Sequence, residues 1–190
     1  MGYYIDYSLI TIEEYRDRLK RKSLIPSQMI LKDGLEEKFS YFKDIGIENV
    51  FELENTLKNK QKLIELAKVP LLSEQYLKVL LREIKGRQPK PRKLKDFEHI
   101  SRDTIAKLEQ FNIKTTAHLY DKVLTYERRK ELAEKTSVPY STILELAQLT
   151  DLTRIQWVNT TFARVLYESG YNTIKKVSKA DYEILYKEIR

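Results

Sequence analysis

The sequence contains no cysteine and few glycines or prolines. Without cysteine it has no disulfide bond, no thiolate chemistry, no zinc ribbon and no cysteine-ligated iron–sulfur cluster. Only five glycines and five prolines interrupt its 190 residues, a composition that predicts many helices joined by short connections. No apolar run approaches the length of a membrane span, and the amino terminus lacks a basic stretch followed by an apolar one. We therefore expect a soluble, cytoplasmic protein.

The charge balance is mildly basic along the whole chain. Residues 1–90 carry +3 and residues 91–190 carry +4, which gives the net charge of +7. Hydrophobic residues make up 42% and charged residues 33%, as in folded proteins, so the chain is not expected to be disordered. The basic excess suits a partner that carries phosphates, and it equally suits a lysine-rich solvated surface. Composition alone favours the solvated surface.

Internal similarity is the most informative feature of the sequence. Segments 45–53, 111–119 and 169–177 share one pattern and lie 66 and 58 residues apart. Each contains a residue that tolerates the left-handed conformation after a helix, an apolar residue that can pack back on that helix, and a residue that can cap the next helix. These are, in that order, Gly46, Asn112 and Gly170; Ile47, Ile113 and Tyr171; and Asn49, Thr115 and Asn172. Each segment therefore predicts a helix, a tight turn and a short helix.

A basic, proline-containing stretch separates the first two copies of the pattern. Pro89 and Pro91 cannot both lie inside a helix, so residues 86–92 are predicted to form an extended linker. It would join an N-terminal lobe with one degenerate repeat, residues 1–85, to a domain of residues 93–190. Six basic residues lie in and beside this linker, where they either contact nucleic acid or keep a solvated hinge extended: Lys85, Arg87, Lys90, Arg92, Lys93 and Lys95.

Two stretches of the second half carry a hairpin pattern. One contains Phe97-Glu98-His99-Ile100-Ser101 and the other Ile155-Gln156-Trp157-Val158-Asn159, each followed by helically spaced apolar residues and a turn of the repeated type. Residues 93–190 resemble a bacterial domain of unknown function built from tandem helix-hairpin-helix units. The resemblance implies contact with a nucleic-acid backbone without sequence specificity. In such hairpins, glycines let the main chain approach a phosphate, and N–H groups that begin the next helix donate to it.

The sequence departs from the family pattern at four glycine positions, which are occupied by His99, Ser101, Trp157 and Asn159. Asn159 can still adopt a positive φ angle. We interpret Trp157 as a packing anchor rather than a base-stacking platform. Together with the six basic residues named above, the candidate contacts with nucleic acid are Ser101, Arg102, Asn159, Thr160, Lys175 and Lys176, and the structural hairpin and cap residues are Gly46, Asn112, Gly170, His99 and Trp157.

Signs of enzymatic chemistry are missing from the sequence. Neither His99 nor His118 has a second histidine or a cysteine three or four residues later, and the sequence contains no glycine-rich phosphate loop, nucleophile elbow or Asp-x-Asp pair. We therefore expect no catalytic activity, no metal and no cofactor.

The patterns together predict an all-α fold of eleven or twelve short helices, arranged as helix-hairpin-helix-like pseudo-repeats in two lobes. The first helix, about residues 11–22, would begin with a capping box formed by Thr11 and Glu14. The function that we expect is non-catalytic binding to DNA or RNA phosphates. The alternative is a protein-interaction scaffold that has kept the fold and lost contact with DNA.

Overall fold

The computed structural model describes residues 2–189, which are all-helical, as predicted. Two isolated β-bridges are the only strand-like pairings among them. The α-helices are α1 (Ile12–Arg21), α2 (Leu35–Asp44), α3 (Val50–Lys58), α4 (Lys60–Leu66), α5 (Glu74–Arg87), α6 (Arg102–Gln110), α7 (Thr116–Tyr120), α8 (Tyr126–Thr136), α9 (Tyr140–Leu152), α10 (Thr160–Glu168), α11 (Ile174–Lys179) and α12 (Tyr182–Glu188). Short 3-10 helices cover Tyr7–Leu9, Pro26–Lys32 and Leu94–Asp96. No helix in the described part of the chain is long and apolar enough to cross a membrane.

The chain divides into two compact units. One comprises Ile5–Gln88, and the other comprises Pro89–Arg190 together with Met1–Tyr4. Helix α5 continues through Gly86 and Arg87. The first part of the predicted extended linker is therefore helical, because neither residue blocks a helix and the first proline comes only at Pro89.

In the unit of residues 5–88, helices α1 to α5 surround one apolar core. Phe42, Leu53, Tyr76 and Leu80 are fully buried in it. Thr11 begins α1 with the predicted capping box: its hydroxyl accepts the Glu14 N–H, and the Glu14 carboxylate accepts the Thr11 N–H. This prediction is confirmed, because a capping box is set by residues only three apart.

In the unit of residues 89–190, helix α9 is the central element and packs against α7, α8 and α10. Its fully buried side chains are Ile143, Leu146, Leu149 and Leu152. Each step of three residues falls about 60° short of a full turn, so these side chains together cover about half of the helix circumference. Seven helices can therefore share a single core of modest size.

Tyr3 belongs to the unit of residues 89–190 although it lies at the other end of the sequence. Its side chain is buried, and its hydroxyl bonds to Thr116 Oγ1 at 2.9 Å and donates to the Lys90 carbonyl at 3.1 Å. Arg154 Nε donates to the Tyr3 carbonyl at 3.1 Å. Burial raises the pKa of the Tyr3 phenol. These contacts fix the start of the described chain to this unit.

The three repeated segments form the same turn at a helix C-terminus. Gly46, Asn112 and Gly170 have φ angles of +84°, +58° and +85°. The following residue donates its N–H to the carbonyl five positions earlier, and the N–H of the turn residue goes to the carbonyl three positions earlier, which is the Schellman arrangement. The longer bonds are Ile47 to Phe42 at 3.0 Å, Ile113 to Leu108 at 3.1 Å and Tyr171 to Leu166 at 2.9 Å.

The residue that caps the next helix lies three positions after each left-handed residue. Asn49 caps α3 and Thr115 caps α7, as predicted. The prediction of Asn172 for the third copy is wrong, because Thr173 accepts the Lys176 N–H and begins α11. Counting from Gly170 places the cap at Thr173, in the register of the other two copies.

Two glycine substitutions should change stability in opposite directions. We expect Gly46→Ala to lower the free energy of unfolding by about 1 kcal/mol, because a residue with a Cβ is strained at positive φ. We expect Gly86→Ala, inside helix α5, to raise it by about 0.5 kcal/mol, because alanine favours the helix. A Cβ at either position meets no atom within 4 Å, so backbone conformation alone separates the two variants. Urea unfolding at neutral pH measures both, and a loss of stability in Gly86→Ala would contradict this reasoning.

Candidate nucleic-acid interface

The His99 turn, residues His99-Ile100-Ser101, leads into helix α6. His99 has a φ angle of +64°, in the left-handed region that glycine occupies most easily. Ser101 is extended, and its Oγ accepts the Thr104 N–H at 3.1 Å, so Ser101 is the N-cap of α6. A positive-φ residue, an apolar residue and a cap thus follow one another directly.

The Trp157 turn, residues Trp157-Val158-Asn159, repeats this backbone at the start of α10. Trp157 has a φ angle of +75° and Val158 is buried. Asn159 Oδ1 accepts the Phe162 N–H at 2.8 Å. The expectation of a positive φ at Asn159 is wrong: its φ of −94° is extended, as an N-cap requires, and the left-handed residue is Trp157.

Both turns leave backbone donors at the start of a helix. The first residues of a helix have no intrahelical acceptor for their N–H groups, and the cap side chains satisfy only those of Thr104 and Phe162. Arg102 and Asp103 in α6, and Thr160 and Thr161 in α10, occupy the two positions before them. These N–H groups and the helix dipole favour an anion.

The short helices α3, α7 and α11 differ from α6 and α10 in this respect. The N–H of their first residue is already bonded: Val50 donates to the Ile10 carbonyl at 3.0 Å, Thr116 to the Arg92 carbonyl at 2.9 Å, and Ile174 to Asp151 Oδ2 at 2.9 Å. The structure gives no such acceptor to Arg102 or Thr160 within residues 2–189. Of these five helices, only α6 and α10 therefore begin with an N–H group that has no acceptor within residues 2–189.

The two helix starts differ in charge. Asp103 lies in the first turn of α6, where its carboxylate pairs with Lys107 Nζ at 2.7 Å. The first turn of α10 contains no acidic residue. A phosphate would meet less repulsion at the Trp157 turn than at the His99 turn.

Two arginines donate hydrogen bonds to backbone carbonyls in or beside these turns. Arg92 donates from Nη2 to the Val158 carbonyl at 3.3 Å, so this residue of the predicted basic linker lies against the Trp157 turn. Arg164, in α10, donates to the Glu98 carbonyl beside the His99 turn and to the Glu145 carboxylate, both at 2.5 Å. Each guanidinium bonds a backbone carbonyl 66 residues away and holds a turn in place.

Trp157 lies at the surface and is 81% exposed. The interpretation of this residue as a packing anchor is therefore wrong. The buried residue of the turn is its neighbour Val158, because the positive φ of Trp157 turns the indole away from the core while Val158 enters it. Phe162, in the first turns of α10, is also partly exposed, at 41%.

The basic residues predicted in and beside the linker lie in different units and have different contacts. Lys93 and Lys95 are exposed in the unit that carries both turns, and the carbonyl of exposed Lys90 accepts the Tyr3 hydroxyl. Lys85 and Arg87 belong to helix α5 of the other unit. The guanidinium of Arg87 pairs with the buried carboxylate of Glu83.

Lys175 and Lys176 line a surface cleft at the third repeated turn. The cleft has a volume of ≈ 650 Å³, and Gly170, Tyr171 and Lys179 also line it. Lys176 Nζ donates to the Gly170 carbonyl at 3.1 Å. The Tyr171 hydroxyl donates to Glu188, and this hydrogen bond raises the pKa of the phenol. Basic and acidic side chains therefore both line the cleft.

Residues 98–190 match a family model. The family is described as a domain of unknown function (DUF4332). The matched segment contains both turns and helices α6 to α12. No curated protein and no solved structure matches the chain. Within residues 2–189 no group of three or more His, Cys, Asp or Glu side chains is placed to hold a metal ion.

Sequence reasoning missed Arg164, which is 4% exposed and connects α10 to the His99 turn. One signal was available: Arg164 directly follows Ala163 and lies two residues before Leu166 on the apolar side of α10. A charged residue at a core position needs partners. Those partners, Glu145 and the Glu98 carbonyl, come from other segments of the chain, so the local pattern does not identify them.

Proposed function

We propose that residues 93–190 form tandem helix-hairpin-helix-like pseudo-repeats, and that the protein is a non-catalytic module that binds nucleic-acid phosphates without reading sequence. The observation that carries the proposal is the shared backbone of the His99 and Trp157 turns. His99 and Trp157 hold the positive φ that the family pattern obtains from glycine, and a capped helix start follows each of them. The four replaced glycine positions are thus compatible with a phosphate site.

Electrostatics support the same proposal. The chain has a net charge of +7, and the exposed Lys93 and Lys95 lie in the unit with both turns. Contacts of this kind release counterions from the nucleic acid, so the affinity must fall as salt increases. Backbone N–H groups and lysines recognise phosphates and carry no information on base sequence.

A proline substitution tests the backbone donor at the Trp157 turn. We expect Thr160→Pro to weaken binding about tenfold, because proline removes one N–H that would donate to a charged phosphate oxygen. The helix should form unchanged, since proline is tolerated at the first helical position and the preceding Asn159 is already extended. Fluorescence anisotropy of labelled oligonucleotides, titrated with the full chain at about 50 mM and about 200 mM salt, measures the effect.

Thr160→Ala is the matched control. It removes the hydroxyl and keeps the N–H, so its affinity should stay close to that of the unchanged protein. Equal binding by Thr160→Pro and Thr160→Ala would contradict the backbone contact. Absence of salt-sensitive binding to single-stranded and duplex oligonucleotides, with the protein at tens of micromolar, would contradict nucleic-acid binding altogether.

The alternative function, a protein-interaction scaffold, is supported by one observation. Trp157 and Phe162 expose apolar surface near the start of α10, and exposed aromatic side chains are common at protein interfaces. Recovery of protein partners that resist nuclease treatment, with no anisotropy change for any oligonucleotide, would favour the scaffold.

A further inference from the structure

Trp157 combines two unfavourable properties that packing does not explain. The residue is 81% exposed, and its φ of +75° is a conformation that bulky residues rarely adopt. A glycine at this position would relieve the backbone and expose no apolar ring. Strained residues that present a side chain to solvent are often found at binding sites. The indole therefore needs a role outside the fold.

Hydrogen bonds and a buried side chain fix the backbone of the Trp157 turn. The N–H of Val158 donates to the Ile155 carbonyl at 3.1 Å, and the Val158 carbonyl accepts the Arg92 guanidinium. Val158 is only 4% exposed, and Asn159 is fixed as the cap of α10. The backbone that carries the indole is thus fixed on both sides, which lowers the entropic cost of using the ring as a contact surface.

The surroundings of the ring select among possible partners. Its neighbours along the chain include Gln156, Asn159, Thr160 and Thr161, which are polar and uncharged. A lipid surface would require several apolar side chains together, and here only Phe162 joins the indole as an exposed apolar residue of this turn and the helix start. A flat aromatic ring beside polar side chains, without a nearby acidic residue in the first turn of α10, suits a nucleobase and its sugar-phosphate chain.

We propose that Trp157 is a stacking platform for an unpaired base of a single-stranded nucleic acid. This inference rests on the proposed function and specifies its ligand. Where the family pattern has glycine, this turn carries an exposed indole. Bases inside a duplex have no free face for the ring, whereas every unpaired base has one. The Trp157 turn therefore prefers single strands.

Because Trp157 is the only tryptophan of the chain, its fluorescence reports directly on contact with the indole. Unlabelled oligothymidylate of about 12 nucleotides, a length within the usual site sizes, should quench the Trp157 emission strongly at saturation. An oligonucleotide of the same length with abasic sites throughout should leave the emission nearly unchanged. Anisotropy of labelled versions of both strands, at the same low salt, measures binding independently of the indole.

Trp157→Gly separates stacking from folding, because glycine accepts the positive φ and the Cα position is kept. We expect about tenfold weaker binding of oligothymidylate, within the range for loss of one base stack, and unchanged or tighter binding of a blunt duplex. Trp157→Phe should bind oligothymidylate with an affinity between those of the unchanged protein and Trp157→Gly. Tyr182→Ala is the matched control, since Tyr182 is another aromatic residue that is 77% exposed, and it should bind as the unchanged protein does. Circular dichroism confirms that each variant folds.

The outcomes distinguish the two proposals. Oligothymidylate binding that leaves the Trp157 emission unchanged, or that survives Trp157→Gly at full affinity, would overturn stacking and leave the proposed function standing. No anisotropy change with any oligonucleotide would overturn both. A blue shift of the emission that depends on protein concentration alone would assign the ring to contact between two copies of the chain, and would also overturn stacking.

Discussion

Arg164→Met should lower the free energy of unfolding of the unit of residues 89–190 by about 3 kcal/mol, the lower end of the range for breaking a buried ion pair. Arg164 is 4% exposed, and its guanidinium donates to the Glu145 carboxylate and the Glu98 carbonyl. Methionine fills much of the same volume but leaves both acceptors without a donor. Part of the loss is offset because the Glu145 side chain is 23% exposed and regains water.

Hydrogen exchange of the backbone amides of residues 89–190 in increasing urea measures the loss in this unit. Lys107→Met is the matched control: it breaks the Asp103–Lys107 pair, whose side chains are 71% and 36% exposed, and should cost less than about 0.5 kcal/mol. The double variant Arg164→Met with Glu145→Gln should recover part of the stability, since no buried charge is left unpaired. A loss for Arg164→Met as small as that of Lys107→Met would contradict the supporting role of Arg164.

The unit of residues 5–88 should lose about 3 kcal/mol of stability between pH 10 and pH 11, about 1 kcal/mol for each of three buried tyrosines. Tyr7, Tyr15 and Tyr76 are at most 3% exposed, and burial raises the pKa of each phenol above its ordinary value of 10.0. A raised pKa in the folded state means that folding favours the neutral phenol. Its contribution is complete below about pH 10 and is lost as the pH rises toward the folded-state pKa.

Urea unfolding between about pH 8 and pH 11, followed by circular dichroism, measures this loss, and absorbance near 295 nm detects the phenolates. Tyr15→Phe with Tyr76→Phe should reduce the slope to about one third of its value, because only Tyr7 of the three remains. The double variant should be at least as stable at pH 8, since the hydroxyls of Tyr15 and Tyr76 have no hydrogen-bond partner within residues 2–189. Tyr182→Phe, at an exposed site, should leave the slope unchanged. An unchanged slope in the double variant would contradict the assignment.

Much of the helical structure follows from residues close together in the sequence. The capping box at Thr11 and the turns at Gly46, Asn112 and Gly170 depend on contacts that span at most five residues. Side-chain type and spacing are sufficient there, because the acceptor and the donor belong to the same helix end. The misplaced cap at Asn172 was an error of register and not of principle, since Thr173 stands at the position that the other two copies specify.

The candidate site was predicted less completely. The sequence identified His99 and Trp157 as residues at glycine positions, and the structure gives both a positive φ. It did not show that Trp157 faces solvent, because the exposure of a side chain in a turn depends on which distant elements cover the turn. Nor did it show that Arg92 supports the Trp157 turn, because the acceptor of its guanidinium is the carbonyl of Val158, 66 residues later.

The sequence by itself determined that the chain is helical, where helix α1 begins and which turns repeat, because capping and left-handed residues act through hydrogen bonds between near neighbours. Only the tertiary structure decided which polar groups are buried and paired and which apolar groups stay outside. Arg164 became a buried connection to the His99 turn and Trp157 an exposed ring on the turn that Arg92 supports. Burial is a property of the assembled core, and packing brings together residues whose separation in sequence leaves no local signal.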